Sequence, residues 1–231
     1  GSGGAFFYSG TLSAEGTTFN GYSSARAGGG IETRDGAAVT LANVTMDGND
    51  AGTNPGNGGA LHITDANPDN DTATVTVTDS TFSNNIAGRE GGGLWNHSAS
   101  EMSISGSTIS GNRALGSVFQ AGSPPANVLA GGGGLFNSGG LMTVTNTNIT
   151  GNFAHGDNGT AGDNLAGSGG GIFNKTPGTV TVTGGEISGN FAVRAGGGIE
   201  SSPDTTTTLN GVDLSGNTAG DVQIDLTTTV A

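Results

Sequence analysis

The stretch GGGLFNSGGLMTVTNTNITGNFA, Gly132 to Ala154, holds a glycine triplet, a run in which threonine alternates with apolar residues, and a closing Gly-Asn-x-Ala. Gly169 to Ala192, GGGIFNKTPGTVTVTGGEISGNFA, repeats nearly the same text. Self-similarity at this spacing marks a repeat architecture. Glycine clusters open further units at Gly28, Gly58, Gly91 and Gly196, and Asn-x-Ala closes units at Asn49, Asn85, Asn112, Asn152, Asn190 and Asn217. A degenerate first unit starts at Gly3 and carries Tyr22 where the asparagine belongs. The chain thus reads as about seven units of roughly 27 to 40 residues, a range typical of solenoids.

Within a unit the period is two. Thr74 to Thr78 and Thr179 to Thr183 both spell Thr-Val-Thr-Val-Thr, the alternation of a half-buried strand, in residue types that suit a pleated surface. No stretch sets helix caps around a helical apolar stripe. Three short strands per unit, with turns between, are expected. Aligned units give three aliphatic columns: Ile31, Leu61, Leu94, Leu135, Ile172, Ile199; then Leu41, Val77, Ile104, Val144, Val182, Leu209; then Met46, Phe82, Ile109, Ile149, Ile187, Leu214. Such columns describe a coil around a narrow, dry interior, with rungs about 4.8 Å apart.

The asparagine column has a physical role in that picture. A tight corner turns the backbone away from the ladder and strands its N–H and C=O groups. A stacked carboxamide can satisfy those groups and its neighbours above and below. Alanine two residues later keeps the corner narrow, and glycine before the aliphatic residue allows positive φ.

These residues resemble the right-handed parallel β-helix repeats of the pectate-lyase-like superfamily. GGGLWN, GGGLFN and GGGIFN, each followed by the Gly-Asn-x-Ala corner, are similar to repeats of polymorphic outer-membrane proteins and autotransporter or adhesin passengers. The resemblance covers nearly the whole chain and implies an all-β, single-stranded, right-handed parallel β-helix. A single domain over 1–231 is expected: a degenerate coil at 1–27, regular coils over 28–219 and a terminal strand in 220–231. It does not imply one function, because lyases, adhesins and phage fibres share the fold.

Composition narrows the classes. With 47 glycines the chain could be a linker, yet 32% of it is hydrophobic and periodic, which argues for a packed core. A net charge of −13 with six basic residues disfavours nucleic acid and anionic membrane surfaces. No apolar run reaches the length of a membrane span. The opening Gly1-Ser2 reads as the junction of a processed or excised segment. Threonine, asparagine and glycine richness points to an extracellular or cell-surface setting.

Four candidate sites follow. The residues after the first aliphatic column, Glu32, His62, Trp95, Phe136, Phe173 and Glu200, should point outward. They would then form an exposed aromatic stripe suited to stacking on glycan or docking a partner protein. The outward pairs Thr76/Thr78, Ser103/Ser105, Thr143/Thr145 and Thr181/Thr183 form a hydroxyl ladder like those of ice-binding proteins, broken at Ala42 and Asn210. Asp65, Asp69 and Asp71 share one loop, and Asp157 and Asp163 another; both loops offer oxygen ligands for structural calcium, although neither matches a calcium-loop motif. Otherwise no cofactor is expected. For catalysis, His62 with Glu32 is a plausible acid–base pair without a third partner, and a lyase would draw its base from Arg26, Arg34, Arg89, Arg113, Lys175 or Arg194. Long excursions at 115–130 and 155–168 leave the coil on one edge, where solenoids often build binding faces.

The expected function is therefore a non-catalytic extracellular surface or structural module, adhesin-like or fibre-forming, contacting carbohydrate or a cell-surface protein through the aromatic stripe. End-to-end self-association is a second expectation, because coil ends need caps. The alternatives are a polysaccharide lyase-like enzyme and an ice-binding protein using the threonine ladder.

Overall fold

The computed structural model describes residues 1–34, 36–53, 55–64, 72–116, 130–155, 166–219 and 228–230. Among them there is no helix, and every strand pairs with its neighbours in parallel. Strands from distant parts of the chain lie over one another, which makes the architecture a β-solenoid. One circuit shows the plan: Leu94–Asn96, Ser100–Ser105, Thr108–Ser110, then Arg113–Ala114. Each of these belongs to a different sheet. The first, third and fourth sheets have seven strands and the second has eight.

The fourth sheet departs from the expected three strands per unit. Six of its strands are the x and Ala of Asn-x-Ala, as in Ile86–Ala87, Arg113–Ala114 and Phe153–Ala154, and the seventh is Ser23–Ser24 after Tyr22. Two extended residues are enough to bond the rungs on either side, but they are too short to show a period of two in sequence.

Register places like over like. Leu94 pairs with Leu61 and Leu135, and Leu135 with Ile172. Val77 lies between Leu41 and Ile104, and Phe82 between Met46 and Ile109. These columns fill the interior together with a fourth, Val39, Val75, Met102, Met142 and Val180, on the second sheet. Removing each such side chain from water contributes about 1.5–3 kcal/mol. Ala51, Ala87, Ala114, Ala154 and Ala192 of the fourth sheet are fully buried, and Ala219 on the last rung is exposed.

The glycine triplets let the rungs close up. Gly132 has φ +64, and a Cβ on Gly133 would stand 2.4 Å from the Gly170 carbonyl oxygen. No other residue type fits there without moving backbone.

Three hydrogen-bond ladders hold the corners. At the second-to-third corner the Ser80 N–H donates to Ser107 Oγ at 3.1 Å, and the Ser107 N–H to Thr147 Oγ1 at 3.3 Å. Each of these hydroxyls in turn donates to the carbonyl two residues before it. At the third-to-fourth corner stand Asn49, Asn85, Asn112, Asn152, Asn190 and Asn217. The Nδ2 of each of the first five donates to the next Oδ1 at 2.9–3.0 Å. The same nitrogens donate to backbone carbonyls such as Met46 O, Phe82 O and Ile109 O. The third ladder was not foreseen. Asn96 Nδ2 donates to Asn137 Oδ1, Asn137 to Asn174, and Asn174 to Thr207 Oγ1. Its sequence signal was the final asparagine of GGGLWN, GGGLFN and GGGIFN.

Candidate functional site

The residues proposed as an outward stripe do form one continuous column on the first sheet. Register runs Glu32 to His62, His62 to Trp95, Trp95 to Phe136, Phe136 to Phe173, and Phe173 to Glu200. Its rings stack: His62 on Trp95 at 4.4 Å, Trp95 on Phe136 at 6.2 Å, and Phe136 on Phe173 at 5.1 Å, with interplanar angles of 23°, 2° and 4°.

The column is not exposed, and this corrects the sequence reading. Phe136, Phe173 and Glu32 show 0% of their surface to solvent, His62 5% and Trp95 6%. Alternation assigned the side of the strand correctly, but that side is covered. Both faces of Trp95 and of Phe136 are occupied by the rings on the adjacent rungs, and the stack ends beside Glu32 and Glu200. The indole Nε1 donates to Glu90 Oε2 at 3.0 Å, and Glu90 Oε1 lies 3.4 Å from Arg89 Nε. A glycan cannot stack on faces that are already filled.

Burial sets the electrostatics of this column. His62 is pushed down to about 3, first by desolvation and then by Arg26 and His97. Its imidazole is therefore neutral at pH 7. Glu32 is pushed up by desolvation, offset in part by the Ser2 hydroxyl, Arg26, Arg34 and the N-terminus. Glu90 is also pushed up by burial, against the pull of Arg89, the Trp95 N–H and Lys175. His62 Nδ1 stands 3.9 Å from Glu32 Oε1. That is too long for a hydrogen bond, and with a neutral imidazole the contact is not an ion pair. The acid–base pair exists as a neighbourhood, but it has no open face through which a polymer could present a proton.

The other candidates divide. The threonine ladder lies on the second sheet, where Ser13, Thr40, Thr76, Ser103, Thr143, Thr181 and Thr208 fall in register on successive strands and Thr229 continues the column. Asp65, Asp69, Asp71, Asp157 and Asp163 lie outside the described residues. Among the described residues no group of three or more His, Asp or Glu side chains comes together. The excursions re-enter beside each other, Ala130–Gly131 pairing in parallel with Ala166–Ser168.

Exposed aromatics lie elsewhere: Phe6 and Tyr22 in the first coil, and Phe191 on the fourth sheet. Phe153 stacks on Phe191 at 4.9 Å and 7°, with the Arg113 guanidinium 5.8 Å from the Phe153 ring and His155 5.2 Å from it. Phe191 keeps 37% of its surface exposed. Both phenylalanines are the x of Asn-x-Ala, a position to which the sequence reading gave no role. Comparison of the chain with protein families, curated proteins and solved structures returns no match.

Proposed function

We propose that the chain is one continuous right-handed parallel β-solenoid of about seven coils, acting as a non-catalytic structural module on or outside the cell surface. The unbroken asparagine ladder from Asn49 to Asn217 carries this reading. No rung can peel away without stranding buried amide groups on its two neighbours, so the rod resists the local opening through which proteases act. The buried His62–Glu32 neighbourhood favours a packing role over a catalytic one. Right-handedness rests on the strong preference of parallel crossovers.

The test is protease shaving of intact producing cells, followed by detection with an antibody to the solenoid. Release of a resistant fragment of the module is expected. Complete protection that vanishes only on cell lysis would place the chain inside the cell and overturn the proposal. So would appearance of unsaturated product when the protein is incubated with uronic polysaccharides.

A second reading, ice binding, is favoured by one observation: the middle outward position of the second sheet is Ser or Thr on each of its seven strands from Thr11–Glu15 to Thr206–Asn210. Rungs about 4.8 Å apart make that column regular. Thermal hysteresis abolished by Thr143→Tyr supports it; freezing behaviour equal to that of an unrelated protein removes it.

A further inference from the structure

The corner between the first and second sheets carries a groove of about 500 Å³ that is lined from four successive rungs. This volume falls within the range of small-molecule sites, about 300–1,000 Å³. Ser98, Ala99 and Glu101 come from one rung, Gly139, Gly140 and Leu141 from the next, and Pro177 and Thr179 from the third, with Thr72 at one end. At this corner the middle rung turns on two glycines held closely between its neighbours. A Cβ on Gly139 would lie 2.9 Å from Pro177 Cδ and 3.2 Å from Ser98 Cβ.

Leu141 is the anomaly in this groove. Its column runs Thr74, Glu101, Leu141, Thr179, Thr206 in register, so threonine is the ordinary occupant. Leu141 nevertheless keeps 42% of its surface in solvent. A lone apolar side chain on a hydroxyl-rich face contributes nothing to the core it points away from. Beside it stand the Glu101 carboxylate on one rung and the Thr179 hydroxyl on the other.

We propose that this groove binds a neutral saccharide. Leu141 and the Pro177 ring offer an apolar patch for the C–H face of a pyranose. Glu101 accepts hydrogen bonds from sugar hydroxyls, and Thr72, Ser98 and Thr179 both donate and accept. The Glu101 carboxylate, on a chain of net charge −13, disfavours uronic or sulfated sugars. The groove is open and wet, so affinity is modest, on the order of 1 mM for a disaccharide. This site goes beyond the structural role proposed above and does not depend on it.

The experiment titrates the whole chain with maltose, cellobiose and lactose, and with glucuronic acid as the acidic comparison, following the backbone amide resonances of Glu101, Gly140 and Thr179, which line the groove, by NMR. Leu141→Thr installs the residue that neighbouring rungs already hold, so the fold should tolerate it; Ala99→Phe fills the groove from an exposed position. The expected result is saturable shifts with at least one neutral disaccharide, and binding weakened about tenfold by each variant at unchanged unfolding midpoint. Absence of saturable binding by every neutral sugar, equal binding by both folded variants, or preference for the acid would each overturn the assignment. Protease shaving of cells tests the structural role separately, so the two can fail independently.

Discussion

Asn112 and Asn152 lie 40 positions apart in the chain, yet the Nδ2 of the first donates to the Oδ1 of the second at 2.9 Å, with both side chains buried. The same Asn112 side chain accepts from the backbone N–H and the Nδ2 of Asn85 and donates to the Phe82 carbonyl. Asn112→Ala therefore leaves several buried groups without partners. A loss of about 3 kcal/mol is expected in urea unfolding. Asn217→Ala, at the last and partly exposed rung of the ladder, should cost about 1 kcal/mol. Equal costs at the two positions would contradict a ladder whose weight lies in its buried middle.

Trp95 is the chain's single tryptophan, which makes its burial directly measurable. Its emission should be blue-shifted and resist quenching by acrylamide until the chain unfolds. Trp95→Ala removes a ring packed between His62 and Phe136 and leaves Glu90 without its N–H donor. The expected cost is about 3–5 kcal/mol. On an exposed stripe the same change would stay within about 0.5 kcal/mol.

Acid should act on stability through His62. Its folded value is pushed down to about 3 from 6.5. Below 6.5 the unfolded chain takes up a proton that the folded chain refuses, so stability falls as pH drops from about 6.5 towards 3. Glu32 and Glu90, pushed up by burial, act with the opposite sign. Their burial penalty is present at neutral pH and is relieved as pH falls through their folded values towards the ordinary carboxyl range. His62→Phe keeps the ring stack and removes the titration, so its stability should no longer carry the loss that begins near pH 6.5. A variant whose stability follows the same curve as wild type from pH 7 to 4 would refute this account of His62.

Glycines at two kinds of corner should answer differently to alanine. At Gly133 the added Cβ meets the Gly170 carbonyl at 2.4 Å, whereas at Gly151, with φ +61, nothing lies within 4 Å. Gly133→Ala forces two rungs apart and should cost about 3 kcal/mol or more. Gly151→Ala carries only the left-handed backbone penalty, about 1–2 kcal/mol. Thermal unfolding of the two variants side by side checks the order.

The sequence by itself determined the rung. Period-two alternation at Thr179 to Thr183 and the recurrence of Gly-Asn-x-Ala specify short strands that stack, and stacking puts Leu94, Leu135 and Ile172 in one column. Those signals are local and repeated, so they survive without knowledge of any distant contact. The fourth strand escaped because two residues cannot display a period. The asparagines at 96, 137 and 174 stood in plain view, but nothing local distinguishes an inward carboxamide at one corner from an ordinary polar turn residue. The fate of the aromatic column was decided only by tertiary structure. Alternation tells on which side of its strand Trp95 lies; whether that side meets water depends on groups such as His62 and Phe136, dozens of positions away, that pack against it. Phe191 on the fourth sheet is exposed instead, because exposure is a property of what surrounds a residue and not of the residue's place in a strand.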